Sequence, residues 1–442
     1  MNPLSIATPE AEDLLTLLGR FSHLALAVSG GPDSLALMQL AARWRKARGG
    51  SPDLTVLTVD HGLRSDSRAE AELVGGMASE LDLPHAILTW VREDKDATGL
   101  QERARNARYD LMAAYCHANA IPALVTAHTL DDQAETFLMR LKRGSGLDGL
   151  AAIAEQGEWS GIVIVRPLLD VPKARLVATL EAEGIPFISD PSNRDPRFER
   201  ARMREGGDVL AELGLTAEAI ALSARRLRRA RAALDATARD FLSRHSETHE
   251  AGYAVVQRAA LSAAPAEIAL RALSQLIATV GGGEMPVQLG KLEALYAALQ
   301  AHPDKAHTLG RCRVERAGSG LGIFREVRGT GLPVAQLHPG ERTLWDDRFR
   351  VELGGAESEP VVVRALGEEG FRVMLERKAL PYTLPRLAGR TLPGCWRGEV
   401  LVGLPDFGPA GIRKAPGLDC RAVFIGAQRA KPGAERYERA GR

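Results

Sequence analysis

The chain has no Cys-x-x-Cys pair. Its four cysteines, Cys116, Cys312, Cys395 and Cys420, are scattered along 442 residues, which argues against a structural zinc, an iron–sulfur cluster or a disulfide framework. No apolar run reaches the roughly 18 residues of a membrane span, and the N-terminus carries no basic-then-apolar signal, so the chain reads as soluble and cytoplasmic with no membrane partner. Internal repeats and low-complexity tracts are missing too, although Lys431 to Arg442 is polar enough to fray. Net charge is only +1, which says nothing about partners until its distribution is followed. An apolar fraction of 45% and a charged fraction of 26% are globular values, and the length exceeds one ordinary core.

Val28 to Ser34 reads Val-Ser-Gly-Gly-Pro-Asp-Ser and joins an apolar run, Leu24 to Val28, to a helix-like stretch, Leu35 to Lys46. Two glycines let the backbone turn tightly and bring N–H groups to an anion, and the opening turn of the helix adds unpaired donors. The loop lacks the lysine of a Walker-type loop. A nucleotide would be held by backbone dipoles, the hydroxyls of Ser29 and Ser34, and a metal near Asp33, an arrangement that favours pyrophosphate release over terminal phosphoryl transfer. The same string also serves as a tight turn capped by Asp33 and Ser34.

From about residue 20 to 190, strand-like runs at 54–59, 86–90, 123–127 and 162–165 alternate with helical stretches near 68–81, 101–119, 131–140 and 173–183. This predicts an α/β fold with a parallel sheet covered on both faces, whose ligands bind beyond the carboxyl ends of the strands. A Pro-, Arg- and Asp-rich segment, 190–207, leads to a long predicted helix, 216–245, in which Ile220, Leu227, Leu234 and Phe241 recur every seven residues. Further helices are expected at 265–277 and 288–300, and a small mixed, β-rich region from about 329. The expected domains are 1–205, 206–328 and 329–442.

The polar motifs follow strands. Asp60-His61-Gly62-Leu63-Arg64 could meet adenosine, phosphate or a metal, or could simply close a strand. In Thr126 to Thr136, Asp131 and Glu135 stand four residues apart on one helix face, so a cation is expected between them, either Mg2+ or a substrate ammonium. Helix-start acidity is the plainer account of Asp131 and Asp132. Arg140-Leu-Lys-Arg143 before a Gly-Ser-Gly turn suits a basic loop closing over phosphates, or a solvated helix end, and Arg105 and Arg108 occupy neighbouring helical positions. Arg225, Arg226, Arg228, Arg229 and Arg231, preceded by Arg194, Arg197, Arg200, Arg202 and Arg204, form the strongest nucleic-acid signal.

Together with Arg166-Pro-Leu-Leu169 and Asp190-Pro-Ser-Asn193, these motifs in this order resemble the tRNA(Ile)-lysidine synthases, ligases of the PP-loop ATP pyrophosphatase superfamily. The resemblance covers roughly residues 20 to 205 closely, the Arg-rich helix loosely and the last hundred or so residues weakly. It implies an N-terminal PP-loop domain of the adenine nucleotide alpha-hydrolase type, then a helical tRNA-binding domain and a small mixed C-terminal one. The implied reaction uses ATP, Mg2+, free L-lysine and the wobble cytidine of tRNA(Ile) with a CAU anticodon, forming lysidine and turning AUG reading into AUA reading. Members commonly carry two adjacent histidines where this chain has His128 and Thr129.

The resemblance assigns Ser29, Gly30, Gly31, Pro32, Asp33, Ser34, Asp60 and His61 to the nucleotide, and Asp33 and Asp131 to the metal. Glu135 and Arg105 would position lysine or adenylate, Arg140 and Arg143 would close over phosphates, and Arg202, Arg204, Arg225, Arg228 and Arg229 would grip RNA. A homodimer remains open. The competing readings are a thiolase, a glutamine-dependent amidotransferase, and a non-catalytic nucleotide-regulated RNA-binding protein.

Overall fold

A computed structural model describes residues 4–62, 67–91, 100–188, 202–203, 206–283, 287–329, 331–408 and 411–426. Arg64, Asp190 to Asn193, Arg194, Arg197, Arg200, Arg204 and the polar tail from Lys431 lie outside the described residues. Contacts group the chain into two units, one reaching Arg231 and one starting at Ala232.

In the first unit, helix α1 (Thr8–Leu15) precedes β1 (His23–Ala27), α2 (Pro32–Ala47), β2 (Asp53–Asp60), α3 (Ser67–Glu80), β3 (His85–Thr89), α4 (Leu100–Ala118) and β4 (Ala123–Val125). Helices α5 (Leu130–Lys142) and α6 (Leu147–Leu150), strands β5 (Gln156–Trp159) and β6 (Ile162–Val165), and helix α7 (Lys173–Ala182) follow. The sheet order is β3-β2-β1-β4-β6-β5, parallel throughout except that β5 runs antiparallel to β6. The parallel sheet is as expected; the β5 hairpin strand is an addition.

Because side chains alternate across a strand, Leu24 and Leu26 of β1 join α1, α2, α3 and α7 in one buried core, while Ala25 faces a second core with Tyr109, Met112 and Cys116 of α4. Strand β1 pairs with β2 on one side and β4 on the other. The strand order therefore reverses at β1, the switch point at which open α/β sheets keep their ligand crevice, here beyond the carboxyl ends of β1 and β4. Helix α2 starts with Pro32 in its first turn and ends with Arg45 and Lys46 in its last, before Gly49 and Gly50 turn the chain away with positive φ.

The long helix is α9 (Ala217–His245), after the short α8 (Gly207–Glu212). Ile220, Ala221, Ala224 and Ala238 are buried on it, and Leu227, Leu234 and Phe241 are half-buried. Beyond it the second unit holds more strand than the sequence suggests. Strands β7 (Ser246–His249) and β8 (Tyr253–Gln257) are followed by helices α10 (Arg258–Ala263), α11 (Ala266–Gly281) and α12 (Leu289–Ala301), then by β9 (His307–Leu309), β10 (Cys312–Ala317) and β11 (Gly320–Arg325). These strands form an antiparallel sheet in the order β7-β8-β11-β10-β9, with α11 and α12 packed against it.

The last hundred residues are the mixed, strand-rich region expected. Strands β12 (Ala335–Leu337), β13 (Arg342–Trp345), β14 (Phe349–Leu353) and β15 (Val361–Ala365) precede helices α13 (Gly367–Glu376) and α14 (Arg386–Arg390), and β16 (Pro393–Arg397), β17 (Val400–Gly403) and β18 (Cys420–Phe424) complete it. They make a four-stranded and a three-stranded sheet around one core. Asp346, fully buried, lies in the β13–β14 turn and accepts from Arg325, Arg348 and Arg311. Burial pushes its carboxyl up, but the bonds and charges of Arg325 and Arg348 outweigh burial and leave it below the usual range.

Candidate active site

The loop after β1 folds on itself. Ser34 Oγ donates to Gly31 O at 3.0 Å and accepts from the Ser29 N–H at 3.1 Å, which tightens the turn into α2. Gly30 has φ +82°, and a Cβ there would stand 2.6 Å from Ile188 Cδ1, whose own N–H donates to Gly30 O at 3.0 Å. A side chain fails here on both conformation and space. Gly30→Ala is expected to lower the melting temperature, since the left-handed backbone alone costs about 1–2 kcal/mol, and to weaken nucleotide binding; thermal melts with and without ATP check both.

Asp33, in the first turn of α2, stands just beyond the carboxyl end of β1. Its Oδ2 accepts from the Lys173 ammonium at 2.8 Å, and its Oδ1 is buried without a hydrogen-bond partner. Desolvation raises its pKa, partly opposed by Lys173 and reinforced by the charges of Asp131 and Asp132. Lys173 is the first residue of α7, and its backbone N–H donates to Asp131 Oδ2 at 2.7 Å. One lysine thus ties together the carboxylates after β1 and after β4. No sequence motif singled it out.

Thr129 caps α5: its hydroxyl accepts from the Asp132 N–H, and the Asp132 carboxylate accepts from the Thr129 N–H at 2.8 Å. The residue standing in for a second histidine therefore fixes the start of the helix that carries Asp131 and Glu135. Asp132 serves helix-start acidity, whereas Asp131 caps a different helix, α7. Glu135 is buried on α5. Gln133 exchanges two hydrogen bonds with the backbone of Ile153.

The basic candidates divide. Arg105 and Arg108 on α4 lie close enough for their charge to act on His128, and that of Arg108 on His61, and both guanidiniums lie over the Tyr109 ring. Arg140 donates to the carbonyls of Gly149 and Ala152 and braces α6. Arg143 ends α5 and is exposed, as is Arg202. On α9, Arg228 donates to Ala151 O, Arg225 lies 3.5 Å from Asp170 and Arg231 3.4 Å from Asp148. Arg226 and Arg229 are exposed and pair with no carboxylate among the described residues.

Asp60 ends β2 and accepts from the Gly62 N–H at 2.9 Å and from the Ser67 hydroxyl, bonds that hold its carboxyl below the usual range. This is strand closure of the ordinary kind. His61 meets Trp90 edge-on, and its Nδ1 is buried without a partner. Burial holds His61, His85 and His128 below the ordinary imidazole value, His128 at about 3. An unfolded chain protonates each near pH 6.5, roughly, whereas the folded chain refuses the proton, so stability falls as pH drops through that value. The melting temperature is expected to fall between about pH 7 and pH 5, less steeply in His128→Gln; melts across that range test it.

Among the described residues no group of three His, Cys, Asp or Glu side chains is placed to hold a metal alone. Mg2+ normally takes one or two carboxylates together with substrate phosphates and waters. Asp33, with its orphaned Oδ1, fits that demand, and Asp131 stands beside it across Lys173. All four cysteines are free and buried, and burial raises the Cys116 thiol to about 11 and the Cys312 thiol to about 12.

A glycine-turned anion loop at the switch point of a parallel sheet defines a nucleotide-using α/β domain, and the model of the PP-loop domain family matches residues 8–210. The tRNA(Ile)-lysidine synthase of Rhodopseudomonas palustris is 48% identical over 339 residues, 76% of this chain and 96% of that one. That of Ruegeria pomeroyi is 37% identical over 414 residues, 92% and 95% of the two chains. A solved tRNA thiolase from Methanococcus maripaludis matches 50% of this chain and 78% of its own at 17% identity, with a TM-score of 0.42. The chain belongs to the tRNA(Ile)-lysidine synthase family.

Proposed function

We infer that the protein is an ATP-dependent carbon–nitrogen ligase that joins free L-lysine to C2 of the wobble cytidine of tRNA(Ile) with a CAU anticodon. The reading is supported by the family relationship over most of the chain, and the observation that carries it is the Ser29–Ser34 loop opening beside the joined Asp33 and Asp131. The cytosine 2-carbonyl oxygen attacks the α-phosphate of ATP, and pyrophosphate leaves into the loop. The lysine ε-amine, having lost its proton, then attacks C2 and displaces AMP.

Adenylation converts a poor leaving oxygen into a good one, so the protein's part is alignment and charge stabilisation. Asp33 and Asp131 would be the protein ligands of Mg2+, which when bound would neutralise charge on the phosphates. Arg105 and Arg108 face the incoming adenylate. Glu135, buried on the same helix as Asp131, anchors the lysine ammonium and accepts its proton. Glu135→Gln should therefore lower lysine-dependent AMP release by about a hundredfold or more while sparing pyrophosphate release; unchanged AMP release would remove that role. A thiolase reading loses ground because no cysteine offers an accessible thiolate.

RNA is gripped by α9. Arg226 and Arg229, exposed and without carboxylate partners among the described residues, are the better candidates for phosphate contact than Arg228, which braces the protein itself. Replacing Arg226 and Arg229 with Ala should weaken tRNA binding and reduce its salt slope by about one per lost phosphate contact, leaving ATP binding intact. The whole reading is tested by incubating the protein with ATP, Mg2+, labelled lysine and bulk tRNA. Label is expected in a modified cytidine, and its absence there overturns the assignment.

A further inference from the structure

The loop that should hold pyrophosphate is short of positive charge. Between Val28 and Ser34 there is no cation, and the nearest lysine along the following helix is Lys46, in its last turn. Of the motifs after β1 and β4, Asp33, Asp131, Asp132 and Glu135 bring negative charge, and the guanidiniums of Arg105 and Arg108 oppose it only from α4, where their charge reaches His128. A polyphosphate entering such a crevice meets repulsion unless a cation accompanies it or waits for it.

We propose that Lys173 is the waiting cation: its ammonium, parked on Asp33 in the free protein, closes on the pyrophosphate as it is released. Three observations carry this. The backbone of Lys173 is pinned by Asp131 at 2.7 Å, so the base of the side chain is fixed at the mouth of the loop while its four-carbon stem remains free to pivot. The ammonium reaches Asp33 Oδ2 at 2.8 Å, which puts it next to the first turn of α2 and the backbone donors of the loop. The pair is built to be opened, since the Lys173 side chain is 37% exposed and Asp33 keeps a second, buried oxygen with no partner. Asp33 would hold a cation bound with the nucleotide through its free oxygen, and the Lys173 ammonium, on its flexible stem, would then turn toward the phosphate oxygens.

A helix far along the chain thereby supplies the lysine that a Walker-type loop carries within its own sequence. This inference rests on the reading of the loop as a pyrophosphate site, and the two can fail separately.

The test is equilibrium binding of inorganic pyrophosphate with Mg2+, and separately of AMP, to the full chain by calorimetry. Lys173→Met is expected to weaken pyrophosphate binding by about ten- to hundredfold, the loss of one charge-assisted contact, while AMP binding stays within about twofold. Lys173→Arg, which keeps the charge, should recover most of the affinity. Equal pyrophosphate binding by the wild type and Lys173→Met overturns the role of Lys173. So does parallel loss of both ligands in Lys173→Met and Lys173→Arg, the pattern of a purely structural residue. Failure of the wild type itself to bind pyrophosphate would instead sink the loop assignment beneath it.

Discussion

Asp33→Asn is expected to reduce pyrophosphate release with tRNA and ATP by at least about a hundredfold, on the scale of removing one preorganised charge contact from a reacting centre, while leaving the fold at least as stable as the wild type. Both halves follow from the environment of one carboxylate. Its Oδ1 is buried without a partner and its Oδ2 faces Lys173, so it offers an open, charged oxygen that a neutral amide would replace with a weaker ligand. Its folded pKa is raised, because burial outweighs the attraction of Lys173. A raised carboxyl pKa means the folded state prefers the protonated form. The stabilising contribution is present at low pH and is lost as pH rises through the folded pKa, so at neutral pH the ionised group costs stability. Asparagine removes that cost and keeps the shape. Pyrophosphate assays alongside thermal melts check the pair of outcomes, and a melting temperature clearly below the wild type would contradict the account.

The second large effect concerns the other unit. Asp346→Ala should destabilise it by about 3–5 kcal/mol, the penalty for leaving buried charge without its counter-ion. Arg348 is fully buried, its guanidinium depressed by that burial to about 10, and it spends its remaining donors on the carbonyls of Gly252 and Thr391. Arg325 is nearly as buried and grips both oxygens of Asp346. Removing the acid strands both cations among apolar neighbours. Because the Asp346 pKa is lowered, its contribution is present above the unfolded carboxyl pKa and is lost as pH falls through the folded one. Chemical denaturation is expected to show the early loss of one transition in Asp346→Ala, and retention of both transitions at wild-type midpoints would refute the prediction.

The first unit was legible because its signals are local. Strand and helix announce themselves by period, Pro32 and Gly30 punctuate the joint, and the strands predicted at 54–59 and 162–165 are the observed β2 and β6 to within a residue. Lys173 was not legible, because it meets Asp33 from 140 positions away and nothing in the Arg166-Pro-Leu-Leu169 neighbourhood signals that contact. The sheet of β7 to β11 escaped for another reason. Strand β7 follows α9 directly, His245 to Ser246, and β8 runs straight into α10 at Gln257 and Arg258, with no Gly or Pro to mark either boundary. Strand β10, Cys-Arg-Val-Glu-Arg-Ala, buries only Cys312 and Val314 fully, so its alternation is faint. Thr129 was visible as a departure from the family pattern, but its role depends on where α5 begins, which only the backbone fixes.

The stretch from Gly149 to Ile153 is a shared anchorage for two helices. Gly149 and Ala152 offer carbonyls to Arg140, Ile153 offers one to Gln133, and Ala151 offers one to Arg228. Two of those side chains belong to the helix that bears Asp131 and Glu135, and the third to the helix richest in arginine. These five residues thus join the helix that carries Asp131 and Glu135 to the arginine-rich one through their backbone carbonyls, so a shift of either helix disturbs hydrogen bonds that the other makes within the same short stretch.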